Sequence, residues 1–475
     1  MATHASLHAR RPRWVFGVAS LALGALLFAG CATNGTTPSS STSQASGSAF
    51  DIGTDAPLAS VVSFTTTIQS IDAIDANNNS VSLLSGTPSV DWARYNGLQT
   101  LLDMNDVPAD TYTQIAVTFA TSPTPVIGYL QTGSGAPTIQ TMNATLTTNT
   151  YTQTLANPLV VSQTGPVGIR LDFKLDKSIQ VSNGSFTGQV TPTLNITAVA
   201  PSDPGAYIDE FDAGVVSVNT TAQSFVIQGP HGHNFTVNVN GQTEWDNNES
   251  ISDLSNTSIV QISGTLDKAD STIDADEVAI LSQDGFYAAG QVTDVQASST
   301  GAASDFQLYV RGTLPASGDG VSLGSIAQVN LSGSENFFIY WMHNRFTEFL
   351  FNSSTLLPGQ HVAVGGTLAG AANGQALSVK RVVLRNWGFN GTLVPSSLNT
   401  GNGSFQMMVT GFAGLLVPQP VTVYTGSATS FRDGFSGLSD VTSAANIRVV
   451  GLLIKDPTSG DSILLARYID DMDQQ

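Results

Sequence analysis

The second half of the chain repeats one plan three times, and this repetition limits its fold more than any other feature. The first copy opens at Gly214-Val215-Val216, passes Phe225-Val226-Ile227 and Phe235–Val239, and reaches a late strand ending Gly264-Thr265-Leu266. The second opens at Gly290-Gln291-Val292, passes Phe306–Val310 and Val329–Leu331, and ends its late strand with Gly366-Thr367-Leu368. The third opens at Gly391-Thr392-Leu393, passes Phe405–Val409 and Val421–Val423, and carries Gly451-Leu452-Leu453. Opening and late glycines stand 50, 76 and 60 residues apart, so the loops vary while the plan does not. Glycine late in a strand marks a sharp bend where a small sheet curls over itself.

Five or six short strands per copy fit a small closed or half-open barrel of the OB or SH3-like kind. The copies are placed at 212–284, 287–386 and 388–475. Upstream, 49–200 consists of short alternating runs between turns. Tyr112–Phe119 is rich in β-branched and aromatic residues. In Val167–Leu175, residues Val167, Ile169, Leu171, Phe173 and Leu175 face one way. Asp75-Ala76-Asn77-Asn78-Asn79 is a turn. Leu98–Met104 is expected to be a short helix or turn. Many short strands with frequent turns indicate a β-sandwich. The expected fold is therefore all-β: an N-terminal β-sandwich followed by three small β-barrel (OB/SH3-like) repeats.

Residues 1–30 have the form of an export signal. Arg10, Arg11 and Arg13 precede an almost wholly apolar run, Trp14–Ala29, and no acid occurs among them. That run is shorter than the roughly 20 residues that span a bilayer comfortably. Phe28-Ala29-Gly30-Cys31 resembles a bacterial lipoprotein lipobox, with Phe28 standing where that pattern prefers Leu, Val or Ile. The resemblance implies a diacylglyceryl group on Cys31, the chain's single cysteine, and cleavage before it. Residues 31–48 are rich in Ser and Thr, carry no charge, and read as a flexible tether.

Removing residues 1–31 takes away three Arg and no acid, leaving 14 Lys+Arg against 36 Asp+Glu, a formal charge of −22. Nucleic acid needs a basic surface and is not an expected partner. With a single cysteine no intramolecular disulfide forms, so stability rests on packed cores.

Thr54-Asp55-Ala56-Pro57, Leu101-Leu102-Asp103, Val107-Pro108-Ala109-Asp110-Thr111-Tyr112, Leu171-Asp172-Phe173, Lys177-Ser178-Ile179 and Pro192-Thr193-Leu194 together resemble the domain of unknown function 4382 of bacterial lipoproteins. Asp110 stands where that family usually has Gly. In Pro-x-x-x-Tyr arrangements of this kind the Tyr packs under a turn. The three repeats resemble domain of unknown function 5666. Neither family supplies catalytic residues.

Several segments are candidate sites. An aromatic insertion in the second copy, Phe337–Phe351, offers Tyr340, Trp341 and Phe346 as a stacking platform for sugars or apolar ligands, against a structural role in filling the core or the contact between barrels. His231-Gly232-His233 has metal-ligand spacing, but its flanking residues make it a hairpin turn. Asp209–Asp212 and Asp470–Asp473 read as solvated linker and tail, and Asp270–Glu277 as a polar turn. No metal or cofactor is expected. The chain contains no P-loop, dinucleotide fingerprint or H-E-x-x-H motif.

The expected function is that of a cell-envelope protein, held at a bacterial membrane through lipidated Cys31, with a non-enzymatic binding, adhesion or scaffolding role. The outer membrane or cell surface is favoured over the cytoplasmic membrane, and an envelope polysaccharide or protein is the expected partner. The alternatives are a carbohydrate-binding surface protein using the aromatic insertion and a hydrolase with a dispersed site.

Overall fold

Phe173 shows why the first region folds as a sandwich. In strand Val167–Lys174, Ile169, Leu171 and Phe173 enter one core, leaving Arg170, Asp172 and Lys174 on the opposite face. The Phe173 ring lies 5.3 Å from Phe64, 5.1 Å from Trp92 and 5.6 Å from Phe119. Phe64 and Phe119 belong to the facing sheet. The structure, a computed structural model, describes residues 45–474 apart from 57, 59, 132–137, 230–231, 268–271, 298–300, 316–320, 341–348, 369–375, 444–445 and 457–458. The export-like segment, Cys31 and most of the tether lie outside the described residues.

One sheet of the sandwich has four strands. Ser46–Ala56 pairs in parallel with Val167–Lys174 and antiparallel with Thr100–Pro108, and Leu194–Val199 completes it. The facing sheet is built on the long strand Val61–Asp75, which bonds Thr111–Phe119 along one half and Val126–Gln131 along the other. The Asp75 turn forms as expected: its carboxylate accepts the backbone N–H groups of Asn77 and Asn79, both at 2.8 Å. Tyr112 is buried, and its hydroxyl donates to the Pro108 carbonyl at 2.8 Å, which ties the turn down.

The expected helix or turn at Leu98–Met104 is instead the start of strand Thr100–Pro108. Leu101 packs against the first barrel and Leu102 into the sandwich core, so this strand is buried on both faces and loses its alternation. The short 3₁₀ turn lies just upstream, at Trp92–Tyr95.

Each repeat is a five-stranded ring with the same order. In the first, Ile208–Asn219, Ser224–Gln228, Asn234–Asn238, Ile259–Leu266 and Ile273–Ser282 close through a parallel pairing of the third strand with the fifth. In the second the strands are Phe286–Ala297, Ala303–Leu314, Ile326–Asn330, His361–Leu368 and Ala376–Arg385. In the third they are Trp387–Leu393, Ser404–Val409, Val421–Tyr424, Ile447–Lys455 and Ser462–Asp471. The late glycines are the bends. Pairing register shifts at Gly264, Gly366 and Gly451. A Cβ there would lie 2.2, 2.3 and 2.1 Å from a carbonyl oxygen of the neighbouring strand.

The four β-units pack on one another within a single compact unit spanning Gln44–Gln475. Phe50, Ile52 and Leu101 of the sandwich share a core with Ile208 and Phe211 of the first barrel. Ala279 and Leu281 of the first barrel meet Tyr287, Ala363 and Val383 of the second. Leu452 and Leu465 of the third join the core of the second. A string of separate domains is therefore not what forms. Among the described residues no helix is long and apolar enough to cross a membrane.

Candidate functional site

The segment Asp91-Trp92-Ala93-Arg94-Tyr95-Asn96-Gly97 projects from the sandwich into the junction of the barrels. Trp92 anchors it, with its indole N–H donating to Thr66 Oγ1 at 2.8 Å. Arg94 is buried and pairs with Asp212 of the first barrel, with Glu210 at 3.7 Å. Arg385, which ends the second barrel's last strand, is fully buried. It donates to both Asp212 oxygens at 3.0 Å and stands 2.9 Å from Glu210. The Tyr287 hydroxyl also donates to Asp212. Two guanidiniums thus face two carboxylates. Burial pushes Asp212 upward, but Arg385 and Arg94 outweigh it and hold this carboxyl below the usual range.

Further polar contacts extend this hub. Asp91 pairs with Arg311 of the second barrel at 3.0 Å, and Arg311 lies 4.4 Å over the Trp387 ring of the third. Asn96 donates to the Gly388 carbonyl at 3.1 Å. Tyr468 of the third barrel donates to Asp209 of the first at 2.8 Å. His361 is buried, lies 4.7 Å from the Trp387 ring in a tilted contact, and has its Nδ1 3.1 Å from the Asn386 carbonyl. Burial first, then the Arg385 charge, pushes its pKa well down, so the imidazole stays neutral.

Beside the hub lies a polar cleft of about 370 Å³ between the sandwich and the third barrel. Its sandwich wall is the outward face of Val167–Lys174, and Arg432, Asp433 and Arg448 form the opposite wall. Most of its charges are paired. Lys174 meets Asp172 at 2.7 Å. Arg432 and Arg448 each bond Asp470 at 2.7 Å. Arg170 differs: its Nε donates to Gln99 at 3.1 Å, and among the described residues no carboxylate forms an ion pair with it. Asp55 closes the inner end. It is buried, and neither of its oxygens has a hydrogen-bond partner. Burial first, then the nearby Asp172 charge, raises its pKa well above the usual range.

The sequence-derived candidates fall as follows. Tyr340 is fully buried, with its hydroxyl bonded to Ser263 of the first barrel, so it serves the contact between barrels and offers no stacking surface. Trp341, Phe346 and Cys31 lie outside the described residues. His233 sits in the expected hairpin turn, with Nδ1 2.9 Å from Asp103 and its ring stacked on Phe235; His231 is outside the described residues. Among the described residues no group of three or more His, Cys, Asp or Glu is placed to hold a metal.

Three expectations are corrected. Asp209, Glu210 and Asp212 are not solvated linker but buried strand residues, because arginines and tyrosines of other units meet them. Asp470 is not solvated tail: it is buried between Arg432 and Arg448. Ile273–Ser282, covering most of the expected polar turn at Asp270–Glu277, is a strand, with Ile273 and Ala275 alternating inward.

Sequence reasoning missed the cleft, although its signal was present. Arg170, Asp172 and Lys174 occupy alternate positions of one strand in a chain where only 11% of residues are charged. Comparison with known families matches residues 52–189, most of the sandwich, to a domain of unknown function (DUF4382). No curated protein matches the chain.

Proposed function

We propose that the chain is a lipid-anchored protein of the bacterial cell envelope, fixed through Cys31, with a non-enzymatic binding role. On this reading the signal is removed, the tether gives short reach, and one β-body presents the cleft to an envelope partner. The resemblance of the three barrels to domain of unknown function 5666 belongs to the same reading. The observation that carries the binding role is the cleft and the guanidinium of Arg170, which has no ion-pair partner among the described residues. Arg94, Arg311, Arg381, Arg385, Arg432 and Arg448 each face a carboxylate, whereas Arg170 holds its charge at a cleft wall with none.

The anchoring half is tested by metabolic labelling with radiolabelled palmitate and membrane fractionation. Labelled wild type in the membrane fraction, with an unlabelled and released Cys31→Ala variant, is expected. An unlabelled wild type, or a Cys31→Ala variant that stays on the membrane, refutes it. Two or three acyl chains are needed for stable retention.

A further inference from the structure

Counting charge in the cleft decides what it can hold. Its cations are Arg170, Lys174, Arg432 and Arg448. Against them stand Asp172 and Asp433 at the wall, and Asp470 directly behind Arg432 and Arg448. Asp55 is not counted as a charge, because its buried oxygens have no hydrogen-bond partner among the described residues and burial, then Asp172, raises its pKa well above the usual range. The groups facing it are Asp172 on the adjacent strand, Asp91 of the sandwich, Arg448 of the third barrel and Arg311 of the second. Four cations against three carboxylates leave one positive charge, and the pairing puts it on Arg170. This is a local excess of positive charge in an otherwise strongly acidic chain.

The group that carries it is a guanidinium fork. Two parallel N–H donors match a carboxylate in geometry. Burial works against the Arg170 charge, Asp172 offsets this in part, and Arg448 adds repulsion. A bound carboxylate would relieve both. On the same face as Arg170, with Asp172 between them, Lys174 spends one contact on Asp172, and Asn195, opposite Asp172 in register, has no side-chain partner among the described residues. These are donors and acceptors suited to hydroxyl groups. The cleft volume is in the range of small-molecule sites.

We propose that the cleft between Arg170 and the third barrel binds a small hydroxylated monocarboxylate, the chemistry of an acidic sugar unit, with the carboxylate on Arg170 and hydroxyls on Lys174 and Asn195. This rests on the binding role argued above and names its ligand class. The unit could be a free sugar acid or part of an acidic envelope polysaccharide; the chemistry at the cleft is the same.

The test uses the full chain in detergent and isothermal titration calorimetry with sodium glucuronate, glucose, inorganic phosphate, and short oligogalacturonates. Glucuronate is expected to bind, glucose not to bind, and phosphate to bind at least tenfold more weakly than glucuronate. Arg170→Gln is expected to lose at least tenfold in glucuronate affinity, and Arg170→Lys to recover part of it, since the charge returns without the fork. Because Arg170 is largely buried, raising salt to 0.5 M should weaken this ion pair only modestly. Oligogalacturonate binding with a silent free acid supports the polysaccharide source; the reverse supports the free acid. Silence from both, equal binding by Arg170→Gln, or phosphate binding as tightly as glucuronate overturns the assignment. Such a failure leaves the anchoring untouched, because fractionation of Cys31→Ala tests that separately.

Discussion

Replacing Arg385 by Met should be the most damaging single change at the junction. The wild-type hub sets Arg94 and Arg385 against Asp212, which is held ionised, and Glu210, whose pKa burial raises despite the two guanidiniums. Arg385→Met removes two hydrogen bonds to Asp212 at 3.0 Å and the 2.9 Å contact with Glu210. Asp212 keeps Arg94 and Tyr287, while Glu210 keeps only Arg94 at 3.7 Å. The hub then has one guanidinium for two buried carboxyls, and breaking a buried pair by removing one partner costs about 3–5 kcal/mol. The companion variant decides whether charge is the cause. Arg385→Met combined with Glu210→Gln removes both members of that pair, and at least about half of the loss should return, because removing both partners of a buried pair is far less costly than removing one. The assay is urea unfolding followed by tryptophan emission, which reports Trp92 and Trp387 near the junction, and by far-UV circular dichroism. A shifted midpoint with an unchanged slope is expected. A single variant within roughly 0.5 kcal/mol of wild type, the range of ordinary surface changes, refutes the argument. So does a double variant that recovers nothing.

Other consequences can be measured in the same way. Gly451→Ala puts a Cβ 2.1 Å from the Leu465 carbonyl and should cost roughly 1–3 kcal/mol in urea unfolding. Gly214→Ala meets nothing within 4 Å and should cost clearly less; equal costs would refute the bend argument. His361 has a depressed pKa, so below about pH 6.5 the unfolded chain binds a proton that the folded chain does not. Its contribution makes stability fall as pH drops, by about 1.4 kcal/mol per unit at most. The difference between wild type and His361→Gln should show that slope between pH 5 and 6.5, and a flat difference counts against it. Asp212 acts at lower pH: its folded pKa is depressed, so its stabilisation is complete above the unfolded value near 4 and is lost as pH falls further. Asp212→Asn should therefore flatten the acid limb of a stability-versus-pH curve; an unchanged limb speaks against an ionised Asp212.

The all-β fold was legible because it rests on local patterns. Val167–Leu175 alternates, and Ile169, Leu171, Phe173 and Leu175 do enter one core. The late glycines of the repeats do mark bends, since no side chain fits against the crossing carbonyls. Two of these readings failed through contact between units, whereas Asp470 is buried by Arg432 and Arg448 of its own barrel. Thr100–Pro108 carries adjacent leucines, Leu101 and Leu102, on opposite faces because a barrel covers the second face. Asp209–Asp212 looks like solvated linker only while Arg385 and Tyr468, far along the chain, are out of view. The missed signal was placement. Arg170, Arg385, Arg448 and Arg467 stand inside strands, not in turns, in a chain poor in charge. A charge in a buried strand needs a partner: for Arg385 it comes from the first barrel, and for Arg448 from Asp470 of its own barrel. Charge compensation at the hub is thus met only when sandwich and barrels assemble, since the first barrel alone would hold Glu210 and Asp212 without Arg94 or Arg385. The same logic applies to the cleft. One wall belongs to the sandwich and the other to the third barrel, so the charge of Arg170 has a site to serve only in the assembled body.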